Sequence, residues 1–160
     1  MVECRMENLL TRRRMALMLG GCTAVSAEAE PAPGTIHFEV DFKTGPEKIY
    51  QALLDAKLFL AFSKLPAEID ARPGGAFKLF DGQIEGRNVE LIENQRIVQA
   101  WRPASWPAAV YSIARFELAA RNGGTRIVFD HTGFPLDKQQ TLTEGWENHY
   151  WAPLHKYLSA

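Results

Sequence analysis

Histidines are the side chains most often used for proton transfer and metal binding near neutral pH, and the 160-residue chain has four: His37, His131, His149 and His155. A metal site needs ligands whose spacing brings them to one point, and no ligand motif occurs. His37 falls on the polar side of an alternating segment. His149 and His155, six residues apart, point about 120° away from each other on a 3.6-residue helix. Glu144 and Glu147 share the His149 segment, where Glu144 is spaced to cap its own helix and Glu147 to stay solvated. Ser112 has no base near it in sequence, and there is neither a Gly-x-Ser-x-Gly elbow nor a Gly-rich phosphate loop. These residues name no catalytic group, no metal ligands and no cofactor. They favour a module that binds over one that catalyses.

The aromatic residues carry more information. Phe77, Trp101, Phe116, Phe129, Trp146 and Tyr150 fall on strands and a helix that would face one another. Two readings follow: they line a pocket for an apolar or amphipathic small molecule, or they fill the core, since aromatic rings bury the most area per residue. Arg102, Arg115 and Asp130 are polar candidates for such a pocket, or charged residues on strand surfaces. Trp106-Pro107, between two strands, reads either as a loop that docks a partner or as one that folds over a cavity mouth.

The elements that must position these groups are legible in the hydrophobic pattern. Ile36, Phe38, Val40 and Phe42 alternate with His37, Glu39, Asp41 and Lys43, the period of a strand with one buried face. Gly45-Pro46 opens a helix with the stripe Ile49, Leu53, Ala56 and Leu60, ending near Ser63 or Lys64. Arg72-Pro73-Gly74-Gly75 and Asp81-Gly82 are turn chemistry bracketing a strand from Ala76 to Phe80. Strands are expected at Ile84 to Glu93 and Gln95 to Arg102. Tyr111 to Ala120 and Thr125 to Thr132 flank Arg121-Asn122-Gly123-Gly124, where Asn-Gly supplies two positive-φ positions for a tight hairpin. The last segment reads as a helix with Thr141 and Glu144 in capping-box spacing and an apolar row of Leu142, Trp146, Tyr150, Leu154 and Leu158. Pro153 lies inside that row and crowds the carbonyl of His149, which predicts a kink. A strand, a helix, a run of antiparallel strands and a long closing helix make an α+β arrangement with the helices on one face of the sheet.

Composition bounds the rest. With 46% hydrophobic residues the chain can build one core. Net charge is -1 and Lys and Arg are scattered, so nothing tracks a phosphate backbone and nucleic acid is excluded as a partner. The two cysteines, Cys4 and Cys22, both precede the domain. Residues 1–34 read as an export signal and flexible leader: Arg12, Arg13 and Arg14, an apolar run from Met15 to Leu19, then small residues. The Thr11-Arg12-Arg13 start resembles a twin-arginine signal. Leu19-Gly20-Gly21-Cys22 resembles a lipobox, which would make Cys22 an acylated membrane anchor, whereas a cut after Ala27 would release a soluble form. The apolar run is far short of the ~20 residues needed to span a bilayer. The expected location is therefore the periplasm or the cell envelope, the alternative being a cytoplasmic protein whose first residues form a tail.

Gly74-Gly75, Asp81-Gly82, Ile97-Val98-Gln99-Ala100-Trp101-Arg102, Trp106-Pro107, Tyr111-Ser112, Gly123-Gly124-Thr125, Gly133-Phe134-Pro135 and Glu144-Gly145-Trp146-Glu147-Asn148-His149-Tyr150-Trp151 follow one another in a set order. Together they resemble the C-terminal-type domain of the activator of Hsp90 ATPase family, over Thr35 to Ala160. The resemblance implies membership of the START-like, or SRPBCC, superfamily and its helix-grip fold, a curved antiparallel sheet of six or seven strands around a long C-terminal helix. It also implies a chaperone as partner, and it admits the apolar cavity and the cyclase- or hydrolase-type enzymes found in that superfamily.

Overall fold

The computed structural model describes residues 33–160. The segment expected to be an export signal, Cys22 included, lies outside the described residues. Seven strands form one antiparallel sheet in the order β1-β7-β6-β5-β4-β3-β2. In chain order these are β1 (Gly34–Phe42), β2 (Glu68–Ile69), β3 (Ala76–Leu79), β4 (Ile84–Ile92), β5 (Arg96–Pro103), β6 (Ser112–Arg121) and β7 (Gly124–Phe134). Helices α1 (Pro46–Leu54) and α2 (Ala56–Ser63) follow β1, and α3 (residues 136–158) closes the chain. The expected helix-grip architecture is present, with α3 lying against the inner face of the sheet.

The inner face is built by alternation. Ile36 and Phe42 of β1, Ile127, Phe129 and His131 of β7, Ala114, Phe116 and Leu118 of β6, and Ile97 and Trp101 of β5 are all buried. The opposite face carries charges paired across strands. Arg126 binds Asp41 (2.7 Å) and Glu39 (2.9 Å). A second row runs from His37 through Asp130, Arg115 and Glu117 to Arg96 and Glu90. Arg115 and Asp130 therefore belong to the solvent face, where they border an open depression with Ile113 and Thr132, and not to the space between helix and sheet.

Local chemistry explains where the elements stop. The Asp55 carboxylate accepts from the N–H groups of Lys57 and Leu58 at 2.8 and 3.0 Å, so it caps α2 and divides the expected single helix in two. Lys64 then ends α2 with φ 66°. The β6–β7 turn is a two-residue hairpin, since Arg121 pairs with Gly124, but only Gly123 takes positive φ. Asn122 does not, so the expected pair of left-handed residues reduces to the single one that glycine occupies without strain.

A β-bulge at Val89 leaves Asn88 facing inward, where its side chain donates to the Asp70 carbonyl and accepts from Gln99, at 2.9 and 3.0 Å. The bond to Asp70 pins the turn leading to β3. Gly86, in the same strand, lies so close to β5 that a Cβ would sit about 2.0 Å from the Ala100 carbonyl oxygen. Gly86→Ala is expected to cost about 1–3 kcal/mol, read as a lower urea midpoint with an unchanged slope.

Candidate ligand cleft

The C-terminal helix departs from the expected one at both ends of its apolar row. It begins before Thr141, which lies inside α3, and Glu144 accepts from the Gln140 side chain at 3.0 Å instead of forming a capping box. Proline 153 has no N–H to give the His149 carbonyl. The helix answers by widening into a π turn over Trp146–Trp151, with the N–H of Ala152 donating to Glu147 five residues back. On a regular α-helix Trp151 would lie roughly 140° from Trp146. The wider turn brings both indoles into the core, 6.0 Å apart and nearly parallel, and Trp151 packs edge-on against Phe129 at 5.2 Å. Pro153 thus produces a change of helix register, where the sequence predicted a simple kink.

Trp146 starts a buried polar relay. Its indole N–H donates to His131 Nδ1 (2.9 Å), and His131 Nε2 lies 2.7 Å from Ser112 Oγ, which is 2.8 Å from the Trp101 carbonyl. The directions follow from chemistry. An indole can only donate, so Nδ1 is bare and the proton of the neutral ring sits on Nε2. That N–H donates to Ser112, whose hydroxyl donates in turn to the Trp101 carbonyl. Ser112 therefore does have a histidine beside it, brought from the neighbouring strand, but His131 offers the hydroxyl a proton and cannot remove one. Burial also pushes the His131 pKa down to about 3. The relay locks α3 to β5, β6 and β7.

Beside this relay, where α3 parts from the edge of the sheet, lies a cleft of about 350 Å³. One wall is α3, through Thr141, Leu142, Gly145, Trp146, His149 and Tyr150. Facing it are Ile84 of β4, Trp101 and Pro103 of β5, Phe80 and Gln83 of the β3–β4 turn, and Leu65 beyond α2. Phe80 holds a left-handed backbone, φ 53°, followed by Asp81 and Gly82, also at positive φ. Such strain in a bulky residue persists only where its surroundings fix it. Here the Phe80 ring packs edge-on against Phe59 and Tyr150, at 5.1 and 5.2 Å. Burial pushes the Tyr150 phenol above its ordinary range, while the nearby Trp101 N–H pulls it back without being aligned as a hydrogen bond.

Of the six aromatic residues the sequence offered as a pocket, Trp101, Trp146 and Tyr150 line this cleft. Phe77, Phe116 and Phe129 do not; they are sealed in the core, the reading in which rings fill volume. Trp106 is 9% exposed and belongs to the core, leaving Pro107 as the exposed residue of that pair. The loop is tied down by Arg102, whose guanidinium donates to the Trp106 and Pro107 carbonyls at 2.6 and 3.2 Å and pairs with Glu85. His149 is exposed at the cleft mouth, and His155 stacks on Phe42 at 4.2 Å. Among the described residues no three His, Cys, Asp or Glu side chains converge on a metal position.

Comparison with known proteins gives this architecture a lineage. The family model described as "Activator of Hsp90 ATPase homolog 1-like protein" matches residues 43–159. The mouse activator of 90 kDa heat shock protein ATPase homolog 2 is 32% identical over 123 residues, 77% of this chain and 37% of its own. The human homolog 1 is 30% identical over 109 residues, 68% of this chain and 32% of its own. The chain thus spans about a third of the length of these curated relatives. A crystal structure of an HSP90 activator from Plasmodium falciparum superposes with TM-score 0.71 at 24% identity, over 81% of this chain and 97% of that one. CalU16 from Micromonospora echinospora does so with TM-score 0.67 at 19% identity, over 78% and 76% respectively. These two share the fold. With the matched model covering most of its length, the chain belongs to the activator of Hsp90 ATPase homolog 1-like family.

Proposed function

We propose that this chain is a non-catalytic START-like binding module that holds an apolar or amphipathic small molecule between α3 and the sheet. The observation that carries the reading is the cleft itself, at the lower end of the size range of small-molecule sites and walled by Phe80, Trp101, Trp146 and Tyr150. Its walls are preorganised by the His131 relay. The Ser112–His131 pair is wired against nucleophile activation, which favours binding over catalysis. Thermal unfolding of the purified full chain across a panel of apolar and amphipathic compounds tests this. A ligand at about 100 times its Kd adds about 2.7 kcal/mol of stability, seen as a raised Tm, whereas a panel without effect would refute the proposal.

A second reading, an interaction module for an Hsp90-type chaperone, is favoured by the two mammalian relatives, which are named as activators of that ATPase. Location separates the two readings. Export through residues 1–34, with anchoring at Cys22 or release after Ala27, would part the chain from a cytosolic chaperone. Intact mass and cellular fraction in the native host decide it: a processed envelope form leaves ligand binding, and an unprocessed cytosolic form restores the chaperone.

A further inference from the structure

Gly145 occupies the middle of α3 with ordinary helical angles, φ -61° and ψ -46°. A glycine there weakens a helix relative to alanine, and no positive φ requires it. Nor does crowding, since a Cβ built on Gly145 would meet nothing within 4 Å. The open space above it is the cleft, which Gly145 lines between Leu142 and Trp146. The missing side chain therefore serves the cavity and not the fold.

The lining also has a distinctive charge pattern. Its twelve residues include no Asp, Glu, Lys or Arg, and the ionisable side chains among them are His149 at the mouth and the Tyr150 phenol deeper in. A carboxylate or phosphate entering the cleft would surrender its hydration with no fixed opposite charge to meet. A cation would find ring faces but no carboxylate. Polar contact is available from neutral groups, Gln83 and Thr141 beside His149. Deeper in, Trp101 Nε1 and Tyr150 Oη have no hydrogen-bond partner among the described residues. Flat aromatic walls gain most from another flat ring, through stacked or edge contacts.

We infer that Gly145 is the residue that keeps the cleft open, and that the cleft takes an uncharged, ring-bearing molecule whose polar group is a hydroxyl or carbonyl oxygen. This inference rests on the binding-module reading and narrows it. The same walls cannot discriminate finely between ring systems of similar size, so the selectivity expected is against charge and against flexible chains.

The test titrates the full chain at about pH 8, following tryptophan fluorescence, with four probes: 2-naphthol, 2-naphthoate, 2-naphthylmethylammonium and 1-decanol. We expect 2-naphthol to bind at least about 10-fold more tightly than either charged counterpart and more tightly than the chain alcohol. Gly145→Leu should abolish 2-naphthol binding while the unfolding temperature is kept or raised, and Gly145→Ala should weaken it by an intermediate amount. If 2-naphthoate or the ammonium binds as tightly as 2-naphthol, or 1-decanol binds best, the assigned ligand class is overturned while the cleft remains a binding site. Unaltered 2-naphthol binding by Gly145→Leu overturns the role given to that glycine. Failure of all four probes overturns the binding-module reading with it.

Discussion

Replacing Trp146 by alanine is expected to destabilise the protein by about 3–5 kcal/mol, the range for deleting a large buried aromatic side chain. The residue is 2% exposed and packs against Phe129 at 4.3 Å, Tyr150 at 4.2 Å and Trp101 at 5.5 Å. Its loss also strips His131 Nδ1 of its only donor, leaving a buried acceptor unmet. Trp146→Phe separates the two effects: it keeps most of the ring volume and removes the N–H, so its cost should be about 1–3 kcal/mol. Urea unfolding of both variants measures this. A near-neutral alanine variant would mean that α3 packs on the sheet by another face.

The second large effect is acid lability centred on His131. The folded protein holds this ring neutral with a pKa near about 3, while an unfolded chain takes up a proton below about 6.5. Below that pH the unfolded state binds more protons, so stability is fully present above about 6.5 and lost as pH falls toward 3. The limiting loss is on the order of 5 kcal/mol, at 1.36 kcal/mol per unit. Carboxylates act lower. Asp41, held below its usual range by the Arg126 hydrogen bond, loses its contribution only near and below pH ~4. Asp130, lowered despite its partial burial by hydrogen bonds with His37 and Arg115, follows it. Over the interval from roughly pH 6.5 to 4.5 the contribution of His131 is read as the difference between the wild type and a variant that cannot titrate at that position. His131→Gln, which retains a donor and an acceptor but cannot titrate, should flatten the stability profile across that interval. A wild-type profile already flat there would refute the assignment of a buried neutral imidazole.

What could be read from the sequence, and what could not, divides along physical lines. β1 was legible because alternation over eight residues has one interpretation when a single face is buried. The hairpin at Asn122-Gly123 was legible because turn chemistry is local. Its backbone detail was not: Asn-Gly is compatible with more than one turn, and here Gly123 alone is left-handed. The division at Asp55 was signalled by a good N-cap residue inside an apolar stripe, and periodicity alone passes over such a signal. Trp151 escaped the i, i+4 row for a definite reason: only the π turn imposed by Pro153 rotates it onto the buried face.

The candidate site shows the same boundary. Trp101, Trp146 and Tyr150 were found as large aromatics on facing elements. Phe77, Phe116 and Phe129 satisfied the same criterion and lie deeper, because residue type does not say at what depth two layers part. Gln83, Pro103 and Leu65 reach the cleft from turns and strand ends whose position depends on the whole sheet. Gly145 carried a signal in retrospect, an isolated glycine within a helical pattern that has no capping role. The Ser112–His131 pair was invisible because it depends on strand register, which joins residues 19 positions apart.

The measurement that tests the account most directly is the indole N–H region of a ¹⁵N–¹H NMR spectrum of the full chain, recorded as 2-naphthol is added. The chain has four tryptophans, and the cleft divides them: Trp101 and Trp146 line it, whereas Trp106 and Trp151 do not. The account predicts that the Trp101 and Trp146 signals move together and saturate, while the other two stay in place, and that Gly145→Leu suppresses the shifts. Saturating shifts at Trp106 or Trp151 without movement of Trp101 and Trp146 would place any ligand elsewhere and contradict it.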